Sequence, residues 1–273
     1  MLKILGTFFD YVFAIPIKNL LVGLYHLFAV LRIPGAFGFA IIGLTVIIRL
    51  LLHPFFKQQI ETAKKMQDLK PHLDRLSKKH KAEPKRLQEE QMKLYQQMGI
   101  NPASGCLFMI IQIPVFIALY NTLNLFLVNG HAKNVLMQIN KILYHPILKI
   151  TSIDPWFFGF NLALSPSKAN LWYYYFIPVV TAVLQYLQAT VTTPPPAPAE
   201  SQKKESGDKK EGTSDDFQKA FSTQMKYIFP LMIGWFSYSL PVGLALYWNI
   251  FSVFSIIQYR KINKKTHIVN LNK

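Results

Sequence analysis

The stretch "GLTVIIRLLLHP", Gly43 to Pro54, sets Arg49 inside an apolar run from Ala36 to Phe56 that holds no other formally charged side chain. Thr45, Arg49 and His53 stand at i, i+4 and i+8, one polar stripe on an apolar helix. Thr181, Gln185 and Gln188 repeat the pattern further along, as do Trp248, Ser252 and Ser255, with Asn249 beside them. The window from Gly105 to Val128 adds Gln112, Thr122 and Asn124. Polar faces on membrane helices turn away from lipid. Together these faces would line a hydrophilic cavity with Arg49 as its fixed charge. A central arginine costs about 2.5–3.5 kcal/mol on insertion, which the surrounding Leu, Ile and Val can outweigh. Snorkelling is strained, because roughly 10 Å separate Arg49 from the nearer membrane boundary. The available chemistry is electrostatic: a guanidinium in a poorly screened setting attracts carboxylates. For any single Gln or Ser, a hydrogen bond to a neighbouring helix is the simpler role.

No catalyst is visible. There is no G-x-x-x-x-G-K-[ST] loop and no H-E-x-x-H, and the expectation is no enzyme, no metal and no cofactor. His72 and His80 belong to a solvated helix, Ser104 fits a helix cap and the lone Cys106 fits apolar packing. Buried carboxylates, which a proton-coupled transporter needs, are missing from the apolar windows.

Positioning these residues requires membrane helices. The 273-residue chain is 51 % hydrophobic with a net charge of +16, and its charges are crowded into a few segments. Five windows suit spans: 36–56, 103–128, 171–192, 227–240 and 242–259. Pro241 and Gly243 divide the last two into a tight hairpin. Segment 57–102 holds eleven Lys or Arg against six acids, and 260–273 holds five against none. The positive-inside rule places both in the cytoplasm, with the N-terminus and segment 129–170 outside. Segment 57–102 reads as a charged helical hairpin with one seam at Ile60, Ala63, Met66, Leu69, Leu73 and Leu76, and another at Leu87, Gln91, Leu94 and Met98. Pro71 should kink its first helix and Pro84 should open its second. In 1–35, Ile17, Leu20, Leu21, Leu24, Leu27, Phe28 and Leu31 form the stripe of an interfacial amphipathic helix. Segment 193–226, Pro-rich with six lysines matched by six acids, reads as a disordered cytoplasmic linker.

"FGFAIIGLTVIIRLLLHPFFKQQIETAKKMQDLKPHLDRL", "LYQQMGINPASGCLFMIIQIPVFIALYNTL" and "LPVGLALYWNIFSVFSIIQ" resemble the core of the YidC/Oxa/Alb membrane protein insertases. That resemblance implies an all-α polytopic protein, five spans around a water-filled groove open to the cytoplasm and to lipid. It sets Arg49, Gln188 (or Gln185, one turn away) and Trp248 in the groove, beside Thr45, Gln112 and Ser252 of the polar faces. The cytoplasmic hairpin, with Lys64, Lys65, Asp68, Arg75, Lys78 and Lys79, would help receive substrates. Implied partners are nascent or small membrane proteins and the lipid bilayer, with the Sec translocon and the ribosome as candidates and no small-molecule substrate. The implied location is the bacterial inner membrane. Neither a large external domain nor a lipoprotein cysteine near the N-terminus is expected. The competing reading is an assembly factor that packs helices already inserted. A channel or transporter lacks the expected internal repeat, and an intramembrane enzyme fits least.

Overall fold

The computed structural model describes residues 2–80, 83–99, 104–127, 133–192 and 224–271. Proline sets much of the helical punctuation. Helix α1 (Leu2–Phe9) passes through a π-helical segment, Asp10–Ala14, into α2 (Ile15–Val30). Pro16 lies just beyond the π turn, which widens the backbone where a proline lacks its N–H and crowds the preceding turn. A second π segment, Gln224–Ile228, precedes Pro230 in the same way. Helix α3 (Ala36–Leu51) is separated from α4 (His53–Lys79) at Leu52, with a bend of 67°. Pro54 explains that break: it has no N–H to donate to the Leu50 carbonyl and its ring crowds that carbonyl, so the α3 ladder cannot run through it, whereas the first turn of a new helix accepts it. The expected span 36–56 is therefore not one continuous helix. Pro71 lies within α4, which continues past it as a helix.

Helix α5 (Pro84–Gln97) starts at Pro84 and packs against α4. Their seam centres on Leu69 and Tyr95, with Met66, Leu73 and Leu94 around them. Met98, assigned to the seam by spacing, is exposed, and Tyr95 occupies the place instead. Helix α6 (Ser104–Leu127) is followed by a layer of short elements: α7 (Lys133–Lys141), strands β1 (Trp156–Phe157) and β2 (Phe160–Asn161), and α8 (Pro166–Ala169). The strands pair antiparallel, Trp156 opposite Asn161 and Phe157 opposite Phe160. A 3-10 turn, Trp172–Tyr175, leads into α9 (Phe176–Thr192). Linker residues 193–223 lie outside the described residues. Helix α10 (Phe229–Ser239) ends before Pro241, and α11 runs from Val242 to Leu271, so the basic tail begins as its continuation.

Close approach replaces bulk where helices meet. A Cβ on Gly234 would lie 2.9 Å from Ala182 Cβ, so α10 seats directly on α9. The first amides of α11 are satisfied by the segment between β2 and α8, Val242 N–H donating to Leu164 O and Gly243 N–H to Leu162 O, each at 2.9 Å. Asn19 of α2 is a buried hub. Its amide donates to Ile15 O (2.9 Å) and Ile142 O (3.1 Å), and its oxygen accepts the Tyr144 N–H at 2.6 Å. Asn19→Ala would leave the Ile142 carbonyl and Tyr144 amide without these partners; a loss of about 2 kcal/mol is expected, read by thermal unfolding in detergent.

Many large apolar side chains face outward, including Leu50, Leu51, Ile113, Val183, Leu231 and Val253. Water would penalise so much apolar surface, whereas lipid is a fitting solvent for it. Among the described residues, 6–30 and 242–262 are each long and apolar enough to cross a bilayer, and 36–51 with 53–66 make a third if the bent pair is one span. Residues 112–127 form a shorter apolar helix.

Candidate functional site

Arg49 is buried on the last turn of α3, only 3 % exposed. Its Nη2 donates to Phe251 O of α11 at 2.9 Å and also meets Ser255 Oγ. The Ser255 hydroxyl itself donates to Phe251 O at 2.8 Å. Aromatic faces cover the guanidinium: Cζ lies 3.9 Å from the Phe56 ring centre and 3.7 Å from that of Phe251. Phe56 belongs to α4, and the 67° bend brings it back over the arginine two turns upstream. Ring quadrupoles stabilise a cation without neutralising it. Among the described residues no carboxylate forms an ion pair with Arg49, and its Nε is buried with no hydrogen-bond partner. The charge is thus positioned but not cancelled.

A second group lies on the same face of α11. Trp248 stacks on Phe116 of α6, with ring centres 5.7 Å apart and planes 11° off parallel. Gln112 Nε2 donates to Tyr247 Oη at 3.2 Å, and the Tyr247 ring lies 5.9 Å from that of Phe251. Helices α3, α4, α6 and α11 therefore meet around one polar and aromatic cluster.

Other polar residues turn toward their own backbones. Thr45 donates to Ile41 O (2.7 Å), Ser252 to Trp248 O (2.9 Å) and Thr181 to Ile177 O (2.9 Å), each one helical turn back. These bonds let a hydroxyl sit in an apolar helix without an orphaned donor. Ser237 of α10 also donates to Thr181, at 3.4 Å. Gln185 is buried on α9, and Gln188 is half-buried on the same helix. His53 lies beyond the bend, where Gln258 Nε2 of α11 donates to its Nδ1. The bend thus divides the stripe of Thr45, Arg49 and His53, and α11 draws the two ends together.

On the α4–α5 hairpin, Lys65, Asp68, Arg75, Lys78 and Lys79 are exposed and Lys64 is half-buried. Lys93 donates to Glu90 at 2.9 Å, which lowers the Glu90 carboxyl pKa and raises that of the lysine.

Residues 29–269 match the family described as 60Kd inner membrane protein. The chain belongs to this family, that of the YidC/Oxa/Alb proteins. It is 31 % identical over 232 residues to the "Membrane protein insertase YidC" of Oceanobacillus iheyensis, covering 84 % of this chain and 75 % of that protein. It is 32 % identical over 243 residues to the chloroplastic "Inner membrane ALBINO3-like protein 2" of Chlamydomonas reinhardtii, covering 87 % of this chain and 52 % of that one. With "Inner membrane protein ALBINO3" of Arabidopsis thaliana it shares 31 % identity, over 85 % and 48 % of the two chains. The chain thus spans about half the length of these chloroplast relatives.

Sequence spacing singled out Arg49, Gln112, Trp248 and the α11 face, and these come together. It missed Phe56, Tyr247 and Phe251. Their aromatic character was the available signal, but nothing in a linear pattern says that α4 folds back over Arg49.

Proposed function

We propose that this protein is a membrane insertase and chaperone. It receives small or single-spanning membrane proteins in an intramembrane groove, moves their short hydrophilic tails across and releases their helices into lipid. The observation that carries this reading is Arg49, held under the surface by Phe251 and Ser255 with no carboxylate beside it among the described residues. A guanidinium held by one carbonyl, one hydroxyl and two rings, with its Nε unpaired, can exchange those weak partners for a substrate carboxylate. Hydrophobic partition of the substrate helix then drives sideways release, without nucleotide hydrolysis.

The arrangement proposed is five core spans, within 36–56, 103–128, 171–192, 227–240 and 242–259, with the α4–α5 hairpin and the basic end of α11 cytoplasmic. Helix α2 then lies across the outer ends of the spans. In support, Asn19 is fastened to Ile142 and Tyr144, and Tyr25 Oη accepts the Asp154 N–H at 3.4 Å, all in the segment assigned outside. The exposed cations of α4 meet substrates before entry. Gln185 and Gln188 line the opposite wall of the groove, and the membrane is the bacterial inner membrane. The Sec translocon and the ribosome are proposed partners in the cell.

Purified protein in liposomes tests this. A substrate with an acidic N-terminal tail is added outside, and tail protection from external protease is scored. Protection well above that of empty liposomes is expected. Equal protection in both would favour the assembly-factor reading.

A further inference from the structure

The turn between β1 and β2 consists of Phe158 and Gly159, both at positive φ, 46° and 84°. Two-residue hairpin turns with two positive φ angles favour Asn, Asp or Gly, because a Cβ crowds the backbone there. A bulky aromatic in that region is an outlier. The Phe158 side chain is nonetheless 73 % exposed. Its ring touches Phe157 and Phe39 edge-on, at 4.8 and 6.0 Å between centres, leaving most of its surface uncovered. Backbone preference and contact with water both argue for asparagine at this position. Internal packing accounts for too little of the ring to overrule them.

The position of the tip offers a reason. Phe157 lies against the opening turn of α3, so close that a Cβ on Gly38 would lie 2.1 Å from its Cδ2. From the other side, Tyr173 Oη donates to Gly159 O at 3.3 Å, and Tyr174 Oη accepts the Asn161 N–H at 2.6 Å, immediately before α9. The hairpin is therefore pinned between the outer ends of two proposed spans. Residues 155–164, "PWFFGFNLAL", contain no charged side chain. Trp156, Trp172, Tyr175 and Phe176 are exposed on the same hairpin and on the lead into α9. Exposed aromatics at the level where spans end are the composition of an interfacial belt.

We propose that the β1–β2 hairpin is an outer-leaflet anchor: Phe158 and Trp156 enter the interfacial region of the phospholipid bilayer and fix the outer ends of α3 and α9 to it. The inference rests on the reading that α3 and α9 cross the membrane with these ends outward. The continuity of the uncharged tip with the outward apolar faces of the helices selects lipid as its occupant.

Three full-length chains with one tryptophan each test the anchor in phospholipid vesicles. One keeps Trp156 alone, one carries Phe158→Trp with the four native tryptophans changed to phenylalanine, and one keeps Trp235 of α10, which is 68 % exposed. Lipid brominated high on its acyl chains should remove about half the emission at positions 156 and 158, with little acrylamide quenching. Lipid brominated near the chain ends should quench them less than it quenches Trp235. Acrylamide-accessible, bromolipid-insensitive emission at both hairpin positions, with Trp235 quenched, overturns the anchor and leaves the spans standing. The same result in vesicles, but protection in native membranes, overturns it in favour of a protein partner. Loss of bromolipid quenching at Trp235 as well overturns the membrane arrangement and the anchor with it. If Phe158→Trp does not fold, the native Trp156 reporter decides the question by itself.

Discussion

Replacing Arg49 with leucine is expected to reduce tail transfer at least tenfold while leaving the fold as stable as before or more so. A tenfold effect needs about 1.4 kcal/mol of lost stabilisation. A carboxylate 4 Å from a guanidinium gains about 4 kcal/mol at an effective dielectric constant of 20, before the cost of drying both groups. The margin is ample. Stability moves the other way because the native state buries an uncompensated charge. Leucine gives up one carbonyl bond, the Ser255 contact and two ring contacts, but it removes the desolvation penalty of a buried cation. Arg49→Lys keeps the charge but loses the planar fit between Phe56 and Phe251, so intermediate transfer is expected. The two readouts are transfer in liposomes and the unfolding midpoint in detergent. Parallel loss of both would make Arg49 a structural residue.

The second large effect is expected at Gly38. A side chain there meets the Phe157 ring at 2.1 Å from its first carbon, and Gly35 has a similar contact at 2.7 Å, so β1 lies on bare backbone. Gly38→Leu should cost about 3 kcal/mol, the upper end of ordinary overpacking, because hairpin and helix must separate. Phe157→Ala alone costs a comparable amount by leaving a cavity. Combined, the two should cost clearly less than their sum, since the smaller residue makes room for the larger. Thermal unfolding of the four chains in one detergent measures the coupling. Strict additivity would mean that the hairpin does not rest on α3 in the folded protein.

What could be read in the sequence follows the local rules. Proline has immediate consequences for its own backbone, so the start of α5 at Pro84 and the break at Pro241 were legible. Helical spacing set Trp248, Ser252 and Ser255 on one face of α11 before any neighbour was known. The bend at Leu52 is also a proline effect, but the largely apolar run from Ala36 to Phe56, long enough to read as one span, concealed it. That one omission hid Phe56, whose ring reaches Arg49 because the chain turns. Tyr247 and Phe251 read as ordinary apolar residues until α3 and α6 supplied Arg49 and Gln112. Asn19 was invisible for the same reason, since Ile142 and Tyr144, which it fastens to α2, lie more than 120 residues away. The β hairpin carries an aromatic where the usual turn signal would be Asn-Gly, and short-range rules pass over it. Local chemistry was readable, and contacts made by distant segments were not.

The central claim is that Arg49 recognises negative charge on an incoming tail. It is tested most directly by crossing Arg49 variants with a series of substrate tails that differ only in their number of acidic residues. In liposomes, transfer by the native protein should rise as acids are added, Arg49→Lys should retain part of that slope, and Arg49→Gln should give transfer that is low and independent of tail charge. An unchanged slope in Arg49→Gln would contradict the account and move tail recognition away from this residue.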